Sequence, residues 1–234
     1  MAKFQIPVTQ YNDLNIVRGD LIRGGAKTPA LLRYLPRLNK THFAPHFAYV
    51  GTVFGSGAWA VAVASAELGF DCSLFIAQSD IRPAWEDDIA ATGSTLYWCT
   101  PSPVATLHDD VSKHYPDLCN LPLGFDTPEF ISDMADVMRD TIPTAPPEIW
   151  VPALSGVLAR SACLAFPDTP IHAVSAAKHH GDIGRAILHT APEKFHRPAI
   201  TPPPYPACPF SDAKLWQFAE KQAVSGAFIW NVGY

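Results

Sequence analysis

The sequence predicts an α/β protein of two small lobes, each a parallel sheet flanked by helices. Two observations carry this expectation. Short apolar runs alternate with helical segments in two stretches, about 28–99 and 128–175, and the strand-to-helix turns within them are built from small residues and glycines. A strand, helix, strand succession closes as a right-handed crossover, so the alternation implies parallel pairing. At 234 residues the chain is long enough for one or two domains, and 48% hydrophobic content supplies a core.

The elements follow in order. Leu31, Leu32, Leu35 and Leu38 recur at helical spacing, with Thr28 as N-cap and Pro29 at the first helical position, which predicts a helix over 28–38. A loop from His42 leads to a buried strand over 47–53. The Ala- and Val-rich segment 58–68 reads as a helix closed by Gly69. A strand over 71–77, a helix over 83–92 stopped by Gly93, and a strand over 94–99 come next. Segment 100–127, rich in Pro, Asp and His, reads mostly as loop with a short helix around 107–114. The pattern then repeats with a helix over 128–140, a strand over 148–152, a helix over 155–166 and a strand over 170–175. Six prolines between 194 and 209 (Pro198, Pro202, Pro203, Pro204, Pro206 and Pro209) exclude helix or central strand and predict an extended arm, packed on the surface or over a site. A helix over 212–224, a stop at Gly226 and a strand over 227–232 end the chain.

Several function classes lose ground on composition. With a formal net charge of −5, a broad phosphate-tracking surface is not expected. No apolar run approaches the ~20 residues of a membrane span and the first ten residues lack a leader pattern, so a cytoplasmic protein is expected. Five cysteines without a C-x-x-C pair argue against a disulfide scaffold or a zinc ribbon. No metal site is expected: Pro45 separates His42 from His46, and His179 and His180 are adjacent and point apart. Neither a G-x-S-x-G elbow nor a G-K-[ST] phosphate loop is present.

Three turns are candidate sites, since ligands of open α/β sheets gather at the carboxyl ends of strands. Arg23-Gly24-Gly25-Ala26-Lys27-Thr28 ends on a helix N-terminus, whose positive end, with partial burial, would lower the Lys27 pKa and make the amine nucleophilic. An ordinary surface lysine is the alternative there. Gly51-Thr52-Val53-Phe54-Gly55-Ser56-Gly57 allows backbone N–H groups to approach an anion or a flat ring. Gly55-x-Gly57-x-x-Ala60 also matches a degenerate dinucleotide fingerprint, with Asp80 as a ribose-binding acid, which keeps an NAD-type protein open. In Val151-Pro152-Ala153-Leu154-Ser155-Gly156, Ser155 and Gly156 could donate to a phosphate or simply cap a helix.

Taken together, these segments resemble the fold-type II pyridoxal-phosphate (PLP) enzymes, which are tryptophan synthase beta-like, and in particular the branch with aminocyclopropane-carboxylate (ACC) deaminase and D-cysteine desulfhydrase. Val17-Arg18-Gly19-Asp20-Leu21 leads to Gly24-Gly25-Ala26-Lys27 and a Leu-rich helix, as Arg-Asp-Asp-Leu leads to Gly-Gly-Asn-Lys in that branch. The family's Gln-Ser-Asn-His turn is occupied here by Phe54, Gly55, Ser56 and Gly57.

The resemblance implies a PLP-dependent lyase acting at the α-carbon of an amino-acid-like amine by elimination, deamination or decarboxylation. It places the Schiff-base lysine and catalytic base at Lys27, the cofactor ring against Gly55, Ser56 and Gly57, and the phosphate on Ser155 and Gly156. Tyr205, Asp212 and Lys214 are candidates for substrate contact. It further implies a larger lobe over 1–45 and 120–234, a smaller one over 46–119, and a homodimer. Short bacteriophage enzymes of this kind, which trim amino acids attached to thymidine in hypermodified DNA, are similar in size, so a modified nucleotide in DNA is an alternative substrate. A family member without cofactor is the remaining alternative.

Overall fold

The computed structural model describes residues 3–43, 45–176 and 180–233. In chain order come β1 (Val8–Tyr11), β2 (Leu14–Arg18), α1 (Thr28–His42), β3 (His46–Thr52), α2 (Gly57–Leu68), β4 (Asp71–Ala77), α3 (Glu86–Ala91), β5 (Thr95–Cys99), α4 (Val104–His114) and β6 (Cys119–Asn120). The second half holds α5 (Pro128–Thr141), β7 (Ile149–Ala153), α6 (Val157–Ala165), β8 (Ile171–Ser175), β9 (Ile187–Thr190), α7 (Asp212–Gln222) and β10 (Phe228–Asn231).

The strands form a six-stranded sheet in the order β1-β2-β10-β7-β8-β9 and a four-stranded sheet in the order β5-β4-β3-β6. All pairs are parallel except the β1/β2 hairpin, as the strand and helix alternation predicts. Among the described residues no helix is long and apolar enough to cross a membrane.

Local chemistry explains most boundaries. Helix α2 is apolar all round, and every residue from Gly57 to Ser65 is buried. Gly69, at φ 71, ends it in the left-handed conformation expected of a helix-stopping glycine. The Thr127 side chain accepts the Phe130 amide and opens α5. Among the largest fully buried side chains are Trp150, Trp230, Phe47, Phe125 and Phe130.

Some expectations need correction. Lys27, not Thr28, is the N-cap of α1, and the helix runs through Pro36 to His42. α3 is only six residues and begins three after Pro83. Gly156, not Ser155, occupies the N-cap of α6. α4 starts at Val104, three residues before the expected short helix. β1, β2, β6 and β9 have no counterpart among the elements expected from the sequence. β1 and β9 are sheet-edge strands with mostly exposed side chains, so they carry no apolar alternation. Residues 194–209 form neither helix nor strand, as their prolines require.

Candidate active site

Strand β2 fixes the position of Lys27. It runs parallel to β10, with Arg18 beside Asn231. The chain then folds back through a short 3-10 turn, and the Ala26 amide donates to the Val232 carbonyl at 2.7 Å. Ala26, the residue before the α1 N-cap, is therefore anchored where β10 ends. Lys27 is half-buried, its amine has no hydrogen-bond partner among the described residues, and the side chain lines two adjoining cavities. Burial holds its pKa below that of an ordinary lysine, with the Asp212 carboxylate opposing the shift.

Asp212 opens α7 and is 4% exposed. Its Oδ1 accepts the Val232 amide at 2.6 Å and its Oδ2 accepts the Ser211 hydroxyl at 2.7 Å. Burial outweighs these bonds and pushes the carboxyl up to about 6.

The inner cavity, about 60 Å³, is lined by Lys27, Ser56, Ser155, Gly156, Asp212 and Val232, among others. The outer one, about 350 Å³, shares Lys27, Gly55, Ser56, Leu154 and Ser155 with it and extends to Tyr49 and Phe195. Ser56, the N-cap of α2, has no hydrogen-bond partner for its hydroxyl among the described residues. At the start of α6, Gly156 has φ 82, and a Cβ there would lie 1.9 Å from the Asp182 carbonyl oxygen, so only glycine fits. The amides of the first turn of a helix lack partners within it, and Gly156, Val157 and Leu158 line the inner cavity.

Of the residues singled out in the sequence, Lys27, Gly55, Ser56 and Ser155 line both cavities, Gly57 the outer one, and Gly156 and Asp212 the inner one. Tyr205 and Lys214 line neither, which corrects their candidacy as substrate contacts. Tyr205 packs edge-on against Trp216 at 5.6 Å. Lys214 is fully buried, and its ammonium donates to the carbonyls of Ala176, Lys194 and Phe195 at 3.3, 3.0 and 3.4 Å. Asp80 is exposed and lines neither cavity, so the degenerate dinucleotide fingerprint lacks its ribose acid there. His179 lies outside the described residues. Sequence reasoning missed Tyr49, Val104, Leu123, Phe195 and Val232. Val104 and Leu123 fall in the stretch read mostly as loop, and no local pattern marks the others.

No protein-family model matches the sequence and no curated protein matches it. Solved structures do. An ACC deaminase homologue superposes with a TM-score of 0.74 at 13% identity, covering 98% of this chain and 89% of that one. Serine racemase from Dictyostelium discoideum gives 0.67 at 12% identity, over 97% and 91% of the two chains. Diaminopropionate ammonia lyase from Escherichia coli, in complex with an aminoacrylate-PLP azomethine reaction intermediate, gives 0.66 at 12% identity, over 100% and 85%. The chain has the fold of the fold-type II PLP enzymes.

The residues of this fold-type II chain fit the cofactor. An amine that lines the cavity without a partner suits the aldehyde carbon of PLP, a buried carboxyl suits a pyridine nitrogen, and the amides opening α6 suit a phosphate.

Proposed function

We propose that this chain is a PLP-dependent lyase acting at the α-carbon of an amino-acid-like amine. The observation that carries the reading is the half-buried Lys27 amine, without a partner among the described residues, lining with the Asp212 carboxyl a cavity that ends on the first turn of α6. Bound there, PLP would supply an electron sink for the pair released when a bond to the α-carbon breaks.

The chain's own residues divide the remaining work. Ser155, Gly156 and the α6 amides would hold the phosphate, helped by the positive end of the helix. Asp212, fixed by the Val232 amide and the Ser211 hydroxyl, would hold positive charge at the pyridine nitrogen. Ser56, which stands at the asparagine position of the family's Gln-Ser-Asn-His turn, would offer its hydroxyl to the phenolic oxygen. Gly57 and Ala58, at the N-terminus of α2, present amides to the substrate carboxylate. Lys27 would hold the cofactor and would serve as the base at the α-carbon. Its lowered pKa keeps more of the amine neutral near pH 7 and able to take a proton.

Incubation with PLP, borohydride reduction and peptide mapping test this reading. The expected result is one stable adduct on Lys27 that is lost in Lys27→Ala. Adducts scattered over surface lysines, or equal labelling of the variant, would remove Lys27 from the role.

A further inference from the structure

The outer cavity differs in character from the inner one. Among the described residues, Lys27 is the only charged side chain that lines it. The wall away from Lys27 is formed by Val104, Leu123, Leu154 and Phe195, all half-buried because they border the cavity. Of the hydroxyls, Thr52 Oγ1 accepts the Phe54 amide at 3.3 Å, Ser155 Oγ accepts the Val157 amide at 3.4 Å and Tyr49 is bonded to the Gly124 backbone, while the unpartnered Ser56 hydroxyl belongs to the side shared with the inner cavity.

The wall is also held in place. Tyr49 stacks on Phe125 with ring centroids 4.8 Å apart, and its hydroxyl stands so close to α2 that a Cβ on Gly57 would lie 2.4 Å from it. Phe195 packs edge-on against Phe54 at 5.2 Å, and Phe54 packs in turn on Phe210 at 5.0 Å. The carbonyls of Lys194 and Phe195 are tied down by the buried Lys214 ammonium. A charged substrate side chain entering this space would lose its water and meet no counter-ion on that wall. An apolar one would exchange water for carbon on several sides.

We propose that the substrate of this site carries a bulky, uncharged, apolar side chain, aliphatic or aromatic, seated against Val104, Leu123, Leu154 and Phe195. The inference rests on the reading of Lys27 as the cofactor lysine only for the chemistry, not for the fit of the side chain. The α-carboxylate goes to the α2 amides and the side chain points away from Lys27 toward the wall.

The test separates the two. Carboxylic acids without an amine cannot react with the cofactor and report the cavity alone, so 4-methylpentanoate and 3-phenylpropanoate are compared with succinate by equilibrium dialysis against protein with and without added PLP. The apolar acids should bind at least about tenfold more tightly than succinate. Val104→Arg should reverse the order, and Leu123→Asn should weaken the apolar acids while leaving the fold intact. With PLP bound, leucine and phenylalanine should exchange their α-protons in heavy water faster than aspartate or lysine. Tighter binding of succinate, equal binding of all three acids or binding of none would overturn the proposal. Preferential, Val104-dependent binding of the apolar acids without a borohydride adduct on Lys27 would sustain it and overturn the cofactor reading.

Discussion

Asp212 and Ala26 grip the same residue from opposite sides: the Asp212 carboxylate accepts the Val232 amide at 2.6 Å, and the Val232 carbonyl accepts the Ala26 amide at 2.7 Å. Three segments distant in sequence, the start of α7, the end of β10 and the turn before α1, are thereby locked around one cavity. Lys27, the next residue after Ala26, inherits its position from that lock.

The burial of Asp212 predicts a measurable pH dependence. Its carboxyl titrates near 6 in the fold against an ordinary value of 3.8. The folded state therefore binds the proton more tightly, and the contribution of Asp212 to stability is greatest below 3.8 and falls as pH rises through about 6. Over the full window the shift corresponds to about 3 kcal/mol. Asp212→Asn should remove this slope, so that urea unfolding of cofactor-free protein shows the variant gaining on wild type between pH 4 and pH 7. Parallel curves would show that the carboxyl is not buried in solution.

Gly156 should matter for the phosphate more than for the ring. A Cβ at its φ of 82 strains the backbone by about 1–2 kcal/mol. It also displaces the Asp182 carbonyl that packs on α6. Gly156→Ala is expected to weaken PLP at least about tenfold and pyridoxal, which lacks the phosphate, far less. Spectroscopic titration with the two compounds distinguishes this from general unfolding, which would weaken both alike.

Lys214 holds the arm rather than the substrate. Lys214→Met leaves the carbonyls of Ala176, Lys194 and Phe195 without their donor and should cost about 1–3 kcal/mol in urea unfolding. Proteolysis of the folded variant should concentrate near 194–200. If the variant were as stable and as protease-resistant as wild type, the ammonium would have no positioning role.

Legibility from sequence followed burial. β4 was expected and found over 71–77, and α2 ends at Gly69, because a central strand and an all-buried helix each carry an unambiguous apolar signature. The edge strands β1 and β9 show mostly exposed side chains and gave no such sign. The same limit applied to the site. Lys27 stood out because glycines and a helix start surround it in sequence. Lys214 was singled out as readily, but its charge is buried among carbonyls of the arm.

The sequence by itself determined the alternating α/β order, the turns carrying Lys27, Ser56 and Gly156, and the irregular arm, since each depends on local periodicity or on the backbone limits of Gly and Pro. Only the tertiary structure decided what those turns share. Parallel pairing of β2 with β10 brings Lys27 to the Val232 backbone, and α7 delivers Asp212 to the same residue. The character of the outer wall was settled in the same way: Val104, Leu123, Leu154 and Phe195 come from four separate segments. No spacing in the chain encodes their meeting, because it is the packing of two sheets and an arm that sets it.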